Sequence, residues 1–323
     1  MNAAGPVLGS SSALWDADPR LAGILHRLSA TLQTAEAATT DASARRFAAQ
    51  LVDDHFVDDD TFDAVLDTLG PTGVVRLIGA IGGELVEGYA RCLDTAEDAP
   101  VLALPDDSSL QHPSRPSRRR RVDPDSPLSP DQLAALGAGD RPAALRGPFR
   151  LWALAPDIHS VVEELGTYCQ HETTLPERIG ELAIMTVARR RDAQHPWIAH
   201  REKARASGIP EAALEALAAG DHPAFDDAAD EAVFDLVDAL ARGERPAPET
   251  VLEVRAALND AQLADLIASV GVYAMNALIL NAFELPLPGG AEPPFPDVRD
   301  FRKVASATPI PDPEENSWIR SNR

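Results

Sequence analysis

The chain predicts an all-α fold, on three observations. Apolar residues recur at three- and four-residue steps, as in Val74, Leu77, Ile78 and Ile81, and again in Leu263, Leu266, Ile267 and Val270. Such spacing lays one apolar stripe along a helix. Ala and Leu are abundant while aromatics make up only 5% of residues, which favours helix over sheet. No run alternates apolar and polar residues around a hairpin turn, so a strand ladder has no support.

The elements follow in order along three helical blocks. The first runs roughly from Pro19 to Asp94 and is punctuated by Gly70-Pro71, a pair that interrupts a helix and restarts it. A stretch of Ser, Pro and charge, DDSSLQHPSRPSRRRRVDPDSPLSPDQ, then marks 105–146 as a linker. Its run Arg118–Arg121 reads as a solvated segment that docks on an acidic face rather than as a nucleic-acid signal. The second block spans Pro148 to Ser207, closed by Gly208-Ile209-Pro210, and the third spans Glu211 to Leu285, with Asn259-Asp260 as a helix start. A polar, proline-rich tail occupies 289–323. The resulting division is 1–104, 105–146, 147–288 and 289–323.

The two ends of the chain carry a weak internal repeat. TFDAVLDTLGPTGVVRLIGAIGG (61–83) aligns without gaps on TVLEVRAALNDAQLADLIASVGV (250–272), with six of 23 positions identical. Ordinary composition gives roughly two. The expectation is an incomplete N-terminal repeat of the C-terminal helices, with convergent helical patterning as the alternative.

Composition bounds the function. Fifty-one acidic against 29 basic residues leave a net charge of −22, which repels nucleic acid and anionic membrane, so neither is an expected partner. Cys92 and Cys169 are the two cysteines and stand in no metal or redox spacing. The N-terminus does not have the pattern of a secretory signal, and no apolar run approaches the ~20 residues of a membrane span, so a cytoplasmic protein is expected. A glycine-rich phosphate loop and a Gly-x-Ser-x-Gly elbow are both missing, so nucleotide and serine-hydrolase chemistry lack support.

The most informative segment is TLPERIGELAIMTVARRRDAQHPWIAHREKARASGI (174–209). Read as two helices joined near Arg191–Gln194, it brings the Glu181 carboxylate to the His200 imidazole, a pairing suited to general acid–base chemistry. Around them, Arg178 shares the helix face of Glu181 and is a candidate anchor for a substrate carboxylate, or a surface ion pair. Trp197 is a candidate pocket wall or a core aromatic, and Asn281 in the closing apolar helix is a candidate pocket lining. Arg189–Arg191 suit a helix C-terminus. His195 and His200 are five apart, off the face-sharing spacing of a helical zinc site, so no metal is expected.

Several runs, taken together, resemble the carboxymuconolactone decarboxylase and alkylhydroperoxidase D superfamily. They are FRLWALAPDIHSVVEELGTYC (149–169), ERIGELAIMTVA (177–188), WIAH (197–200), REKARASGI (201–209) and VYAMNALILNAFELPLP (272–288). The resemblance implies an alkylhydroperoxidase D-like helical bundle, catalytic roles for Glu181 and His200, and rings of three or six subunits. The peroxidase branch uses a Cys-x-x-Cys pair, but here Ala193 and Pro196 stand where the thiols would, so dithiol chemistry lacks its reagents. Decarboxylase-like members carry Tyr-Glu-Trp-x-x-His, against which this chain keeps Trp197 and His200, loses the acid to Pro196, and places His195 at the tyrosine as a third candidate for proton transfer. The implied function is a cofactor-free lyase or isomerase acting by proton transfer on a small organic acid or lactone. A peroxidase and a non-catalytic oligomeric interaction module are the alternatives.

Overall fold

A computed structural model describes residues 14–33, 42–94, 100–102, 121, 129–136 and 147–295. The expected linker, apart from Arg121 and 129–136, and the tail beyond 295 lie outside the described residues. Among the described residues every regular element is a helix. In chain order these are α1 (Pro19–Gln33), α2 (Ala42–Asp53), α3 (Asp59–Cys92), α4 (Pro130–Ala135), α5 (Pro148–Trp152) and α6 (Pro156–His171). They continue as α7 (Glu177–Arg190), α8 (Gln194–Ala206), α9 (Glu211–Ala219), α10 (Ala228–Ala241), α11 (Pro248–Ala257) and α12 (Asp260–Phe283).

Local chemistry sets the ends of the long helices. Asp58 caps α3 by accepting the Thr61 amide at 2.7 Å. Asn259 and Gln262 close a reciprocal capping box on α12, which satisfies donors that the first turn leaves open. Inside α3 the helix breaks at Gly70, whose φ of 65° a side chain would resist, and restarts on Pro71. The separation of α11 from α12 at Leu258–Asn259 falls at the matching place in the 61–83 and 250–272 alignment. Each end of the chain therefore presents a short helical leg followed by a long one.

The two long legs pack against each other. From Leu263 to Phe283 every residue of α12 is buried, as expected for a helix that is apolar on all sides. Close approach depends on two glycines. A Cβ on Gly82 would sit 2.5 Å from Met275 Cγ, and one on Gly271 would sit 2.6 Å from Val86 Cγ2. The same alignment pairs Gly82 with Gly271 and, extended by one turn, Val86 with Met275, so these two contacts exchange with each other. One continuous apolar core takes in Leu21 and Phe47, Ile78 and Leu85, Trp152 and Leu165, Val187 and Val237, and most of α12. A smaller cluster forms around Trp197, Leu214, Leu217 and Phe234. The N-terminal block and the 147–288 block thus share one core.

Arginines close both long helices. Arg121 donates to the Ala282 carbonyl at 2.8 Å and to the Val57 carbonyl, reaches Asp59, and lies 4.4 Å from the Phe62 ring centroid. Arg255 donates to the Leu93 carbonyl at 3.4 Å. Cations at helix C-termini satisfy open carbonyls and oppose the macrodipole. One residue of the Arg118–Arg121 run is therefore docked, at 2% exposure, rather than solvated. α3 and α12 are also long and apolar enough to cross a membrane by length and composition, which corrects the expectation that no run approaches that length. The same property suits a core helix, and the apolar window of α12 is wholly buried.

Candidate functional site

α7 and α8 form the expected antiparallel hairpin. Apolar residues at Leu182, Met185 and Ala188 seat α7 on the smaller cluster, while Ile179, Ala183 and Val187 seat it on the main core. Glu181, four residues before Met185 and seven before Ala188, lies on the side of α7 that faces the smaller cluster. On α8, Pro196 occupies the first turn, where its missing N–H costs no helical bond, and His200 follows one turn later.

The hairpin brings the two named residues together. His200 Nδ1 is 2.9 Å from Glu181 Oε2 and 3.2 Å from Oε1. His200 is 6% exposed and Glu181 8%. A third group completes the arrangement: the Tyr273 hydroxyl of α12 lies 2.9 Å from His200 Nε2, with its ring edge-on to the imidazole at 5.1 Å. An ionised carboxylate only accepts, so Nδ1 carries its proton towards Glu181. Nε2 then either accepts the Tyr273 O–H, with a neutral ring, or donates to the phenol oxygen as imidazolium. Burial, with the neighbouring Cys169 and Glu181, pushes the Tyr273 phenol well above its ordinary range, so it remains protonated at neutral pH. Glu181, His200 and Tyr273 form a chain along which a proton can move in either direction.

Cys169 sits beside this chain on α6. Burial, together with the Asp265 charge and against a hydrogen bond with Ser269, pushes its thiol up to about 12. A thiol held there is not a thiolate at neutral pH and makes a poor nucleophile. Cys92 is buried on α3, and burial raises its thiol as well.

The other sequence-named residues are engaged elsewhere. Arg178 pairs with Asp230 of α10. His195 Nε2 donates to the Leu285 carbonyl at 3.1 Å. Asn281 donates to the Arg191 carbonyl at 2.7 Å, fastening the hairpin turn to α12. Trp197 is 1% exposed and packs edge-on against Phe295 at 5.2 Å, as a core aromatic. The arginine cluster is likewise tied down. Arg189 donates to the Ala218 carbonyl, Arg190 pairs with Asp238, and Arg191 reaches the Val52 carbonyl and the Tyr89 hydroxyl. Among the described residues no group of three or more His, Cys, Asp and Glu side chains is arranged to hold a metal ion.

The hairpin turn holds a second histidine–carboxylate pair that the sequence did not suggest. His55 Nδ1 lies 2.9 Å from Asp192 Oδ2, and both residues have positive φ, 61° and 51°. Non-glycine residues in that region carry a backbone cost that surrounding contacts must offset. Here the contacts include Arg189, 3.2 Å from the other Asp192 oxygen, and Arg191 inserted into the N-terminal block.

Compared with known proteins, the chain matches no family model, no curated protein and no solved structure.

Proposed function

We propose that this chain is a carboxymuconolactone decarboxylase-like, cofactor-free enzyme that transfers a proton to carbon through the Glu181–His200–Tyr273 chain. The observation that carries the reading is the placement of a buried phenol on His200 Nε2, opposite a carboxylate on Nδ1. A carboxylate fixes the tautomer and raises the basicity of an imidazole, which makes the ring an effective proton store. Loss of carbon dioxide from a β-keto or vinylogous acid leaves an enolate that needs one proton. Tyr273 delivers it and is recharged by the His200 imidazolium, which takes its own proton from solvent. One proton is consumed for each carbon dioxide released. Tyr273 is only 5% exposed, so turnover requires the packing over α12 to open for substrate.

The substrate class (a small organic acid or lactone) and a trimeric or hexameric assembly come with this family reading, and a cytoplasmic setting is proposed on the N-terminal sequence, which lacks the pattern of a secretory signal. The internal repeat rests on the alignment of 61–83 with 250–272 and is supported by the matched helix breaks and the exchanging Gly82–Met275 and Gly271–Val86 contacts. A self-complementary contact of that kind is what a two-fold relation produces. A second reading is favoured by the burial of the whole chain of groups: a non-catalytic member in which the triad fastens α7, α8 and α12. Peroxide reduction is weakened by the raised Cys169 thiol.

The test is a panel of keto acids and lactones, with hydroperoxide plus dithiol included, assayed for carbon dioxide, absorbance change and peroxide loss. Wild type runs beside Tyr273→Phe, His200→Asn and Cys169→Ala, each checked for folding by circular dichroism. Acid turnover lost in folded Tyr273→Phe and His200→Asn but kept in Cys169→Ala supports the proposal. Peroxide consumption that disappears in Cys169→Ala overturns it, and a folded protein inert across the panel moves the reading to the non-catalytic member.

A further inference from the structure

Among the described residues, the buried members of the smaller apolar cluster lie between Leu182 and Phe234 with one addition, Phe295, which enters from beyond α12. Phe295 is 3% exposed. Its ring meets Trp197 edge-on at 5.2 Å, and the Arg189 guanidinium carbon stands 4.8 Å from the ring centroid. Its backbone carbonyl accepts from Gln194 Nε2 at 3.2 Å. Arg189, Gln194 and Trp197 all belong to the α7–α8 hairpin, with Trp197 three residues ahead of His200.

The segment that delivers this ring is lightly held. After Leu285, whose carbonyl accepts from His195, no residue from 286 to 294 is buried, and Pro288 to Glu292 are exposed. Its turn carries Gly289 and Gly290 at φ of 62° and 67°, and glycine lets such a turn reshape at little steric cost. The segment is thus a strap, fastened at its two ends to the neighbouring residues His195 and Gln194 and anchored by one ring. A segment with few buried apolar contacts opens locally, well below the free energy of global unfolding. Release of Phe295 uncovers a slot lined by an indole, a guanidinium and a carboxamide. The guanidinium favours a π face and the carboxamide N–H needs an acceptor. Arg189 also donates to the Ala218 carbonyl and bridges to Asp192, so its charge is already balanced and the slot does not select an anion.

We propose that Phe295 is a tethered plug in a binding slot, and that the slot takes in its place a small neutral compound carrying an aromatic ring and a carbonyl at the spacing that Phe295 itself shows. The ring lies against Trp197 and Arg189, and the carbonyl accepts from Gln194. Occupancy of the slot and closure of the strap exclude each other, so such a compound frees the chain that follows Leu285. Binding there is independent of proton transfer at His200.

Four probes separate the parts of the claim: N-acetylphenylalaninamide, N-acetylcyclohexylalaninamide, N-acetylalaninamide and ethylbenzene. Each is titrated into the full chain labelled with 5-fluorotryptophan, and the Trp197 signal, assigned with Trp197→Phe, is followed by fluorine NMR. Phe295→Ala, checked for folding by circular dichroism, is expected to bind N-acetylphenylalaninamide at least about tenfold more tightly than wild type, because its slot no longer competes with a plug. Phe295→Leu keeps a smaller apolar plug, should fall between the two, and carries the test if the alanine variant does not fold. In the opened slot the cyclohexyl probe should bind about fivefold more weakly for want of a π face, and Gln194→Leu should weaken N-acetylphenylalaninamide by about the same factor. N-acetylalaninamide should leave the signal unmoved. In wild type, N-acetylphenylalaninamide should speed hydrogen exchange at the amides of 287–295. The proposal fails if no probe shifts Trp197 at millimolar concentration, or if exchange in the strap does not respond to the bound probe. Equal binding of the phenyl and cyclohexyl probes, or of ethylbenzene and N-acetylphenylalaninamide, also overturns it, since a plain core cavity left by a lost ring behaves in that way.

Discussion

Two histidine–carboxylate pairs stand at opposite ends of one helical hairpin, each with Nδ1 2.9 Å from a carboxylate oxygen, yet they live in different physical settings. Glu181–His200 is buried, and its free nitrogen is taken up by Tyr273. His55–Asp192 is part-exposed, is held on strained backbone, and borders a cavity. Geometry at the carboxylate therefore does not decide what a histidine can do. The atom on the far side of the ring decides it. Tyr273 closes the buried pair into a hydrogen-bonded chain, whereas the His55 ring borders a cavity.

The largest expected effect tests the buried pair. Glu181→Ala removes the carboxylate partner of a buried ring and should cost about 2–4 kcal/mol in urea denaturation. His55→Asn should cost only about 1 kcal/mol, the usual net value of one hydrogen bond. Equal losses from the two substitutions would erase the contrast. Next comes chemical access. An imidazole-acylating reagent followed by peptide mass spectrometry should label His55 and leave His200 unmodified until Tyr273→Phe opens Nε2. Labelling of both rings at the same rate in wild type would show that the buried pair is not sealed.

A third histidine sharpens the comparison from the side of having no close carboxylate. His159 is 3% exposed, its Nε2 is buried without a hydrogen-bond partner, and Glu163 is no nearer than 3.9 Å. Burial lowers its pKa, and the Glu163 charge only partly opposes this. A depressed folded value means that its contribution to stability is fully present above the unfolded pKa of about 6.5 and is lost as pH falls through the folded value. His159→Leu should therefore flatten the acid limb of stability below about pH 6.5. An unchanged limb would place the acid sensitivity elsewhere. The smallest effect belongs to His222, a surface histidine whose two ring nitrogens both face acceptors, the Pro223 carbonyl and Asp235. Burial lowers its pKa, but hydrogen bonds to Asp235 and the Pro223 carbonyl and nearby acidic charge outweigh it, so the folded value is raised. Its stabilisation is present below about pH 6.5 and disappears as pH rises through the folded value. Screening should keep it under about 1 kcal/mol, read as the difference between wild type and His222→Gln at pH 5.5 and 8.5.

Helix content and the hairpin were legible because each depends on local spacing. The apolar stripes at Leu263–Val270 and Val74–Ile81, the Gly70-Pro71 break and the Asn259 cap are statements about neighbours in sequence, and the structure keeps them. Glu181 and His200 were legible for the same reason, since one short turn joins them. Tyr273 was not. It is 73 residues from His200 and sits in an apolar run where a tyrosine reads as core. Its one signal was the polar company of Asn276 a turn later, which turns instead to Trp152. His55 and Asp192 were hidden more deeply, 137 residues apart, one in an acidic run and the other in a turn. Arg178, His195 and Asn281 stand near the site in sequence, and their polar contacts run to Asp230 and to the Leu285 and Arg191 carbonyls.

The pairing of α3 with α12 has a consequence for how the chain is made. α3 ends at Cys92 and its main partner does not finish until Phe283, about 190 residues later. At a synthesis rate of roughly 5–20 residues per second, the apolar face of α3 waits on the order of 10–40 s on the ribosome before α12 is available to cover it. Throughout that interval the nascent protein resembles a chaperone client more than a folded domain. Its yield in a cell should therefore respond to chaperone supply and to the speed of translation, even where the finished molecule is indifferent to both.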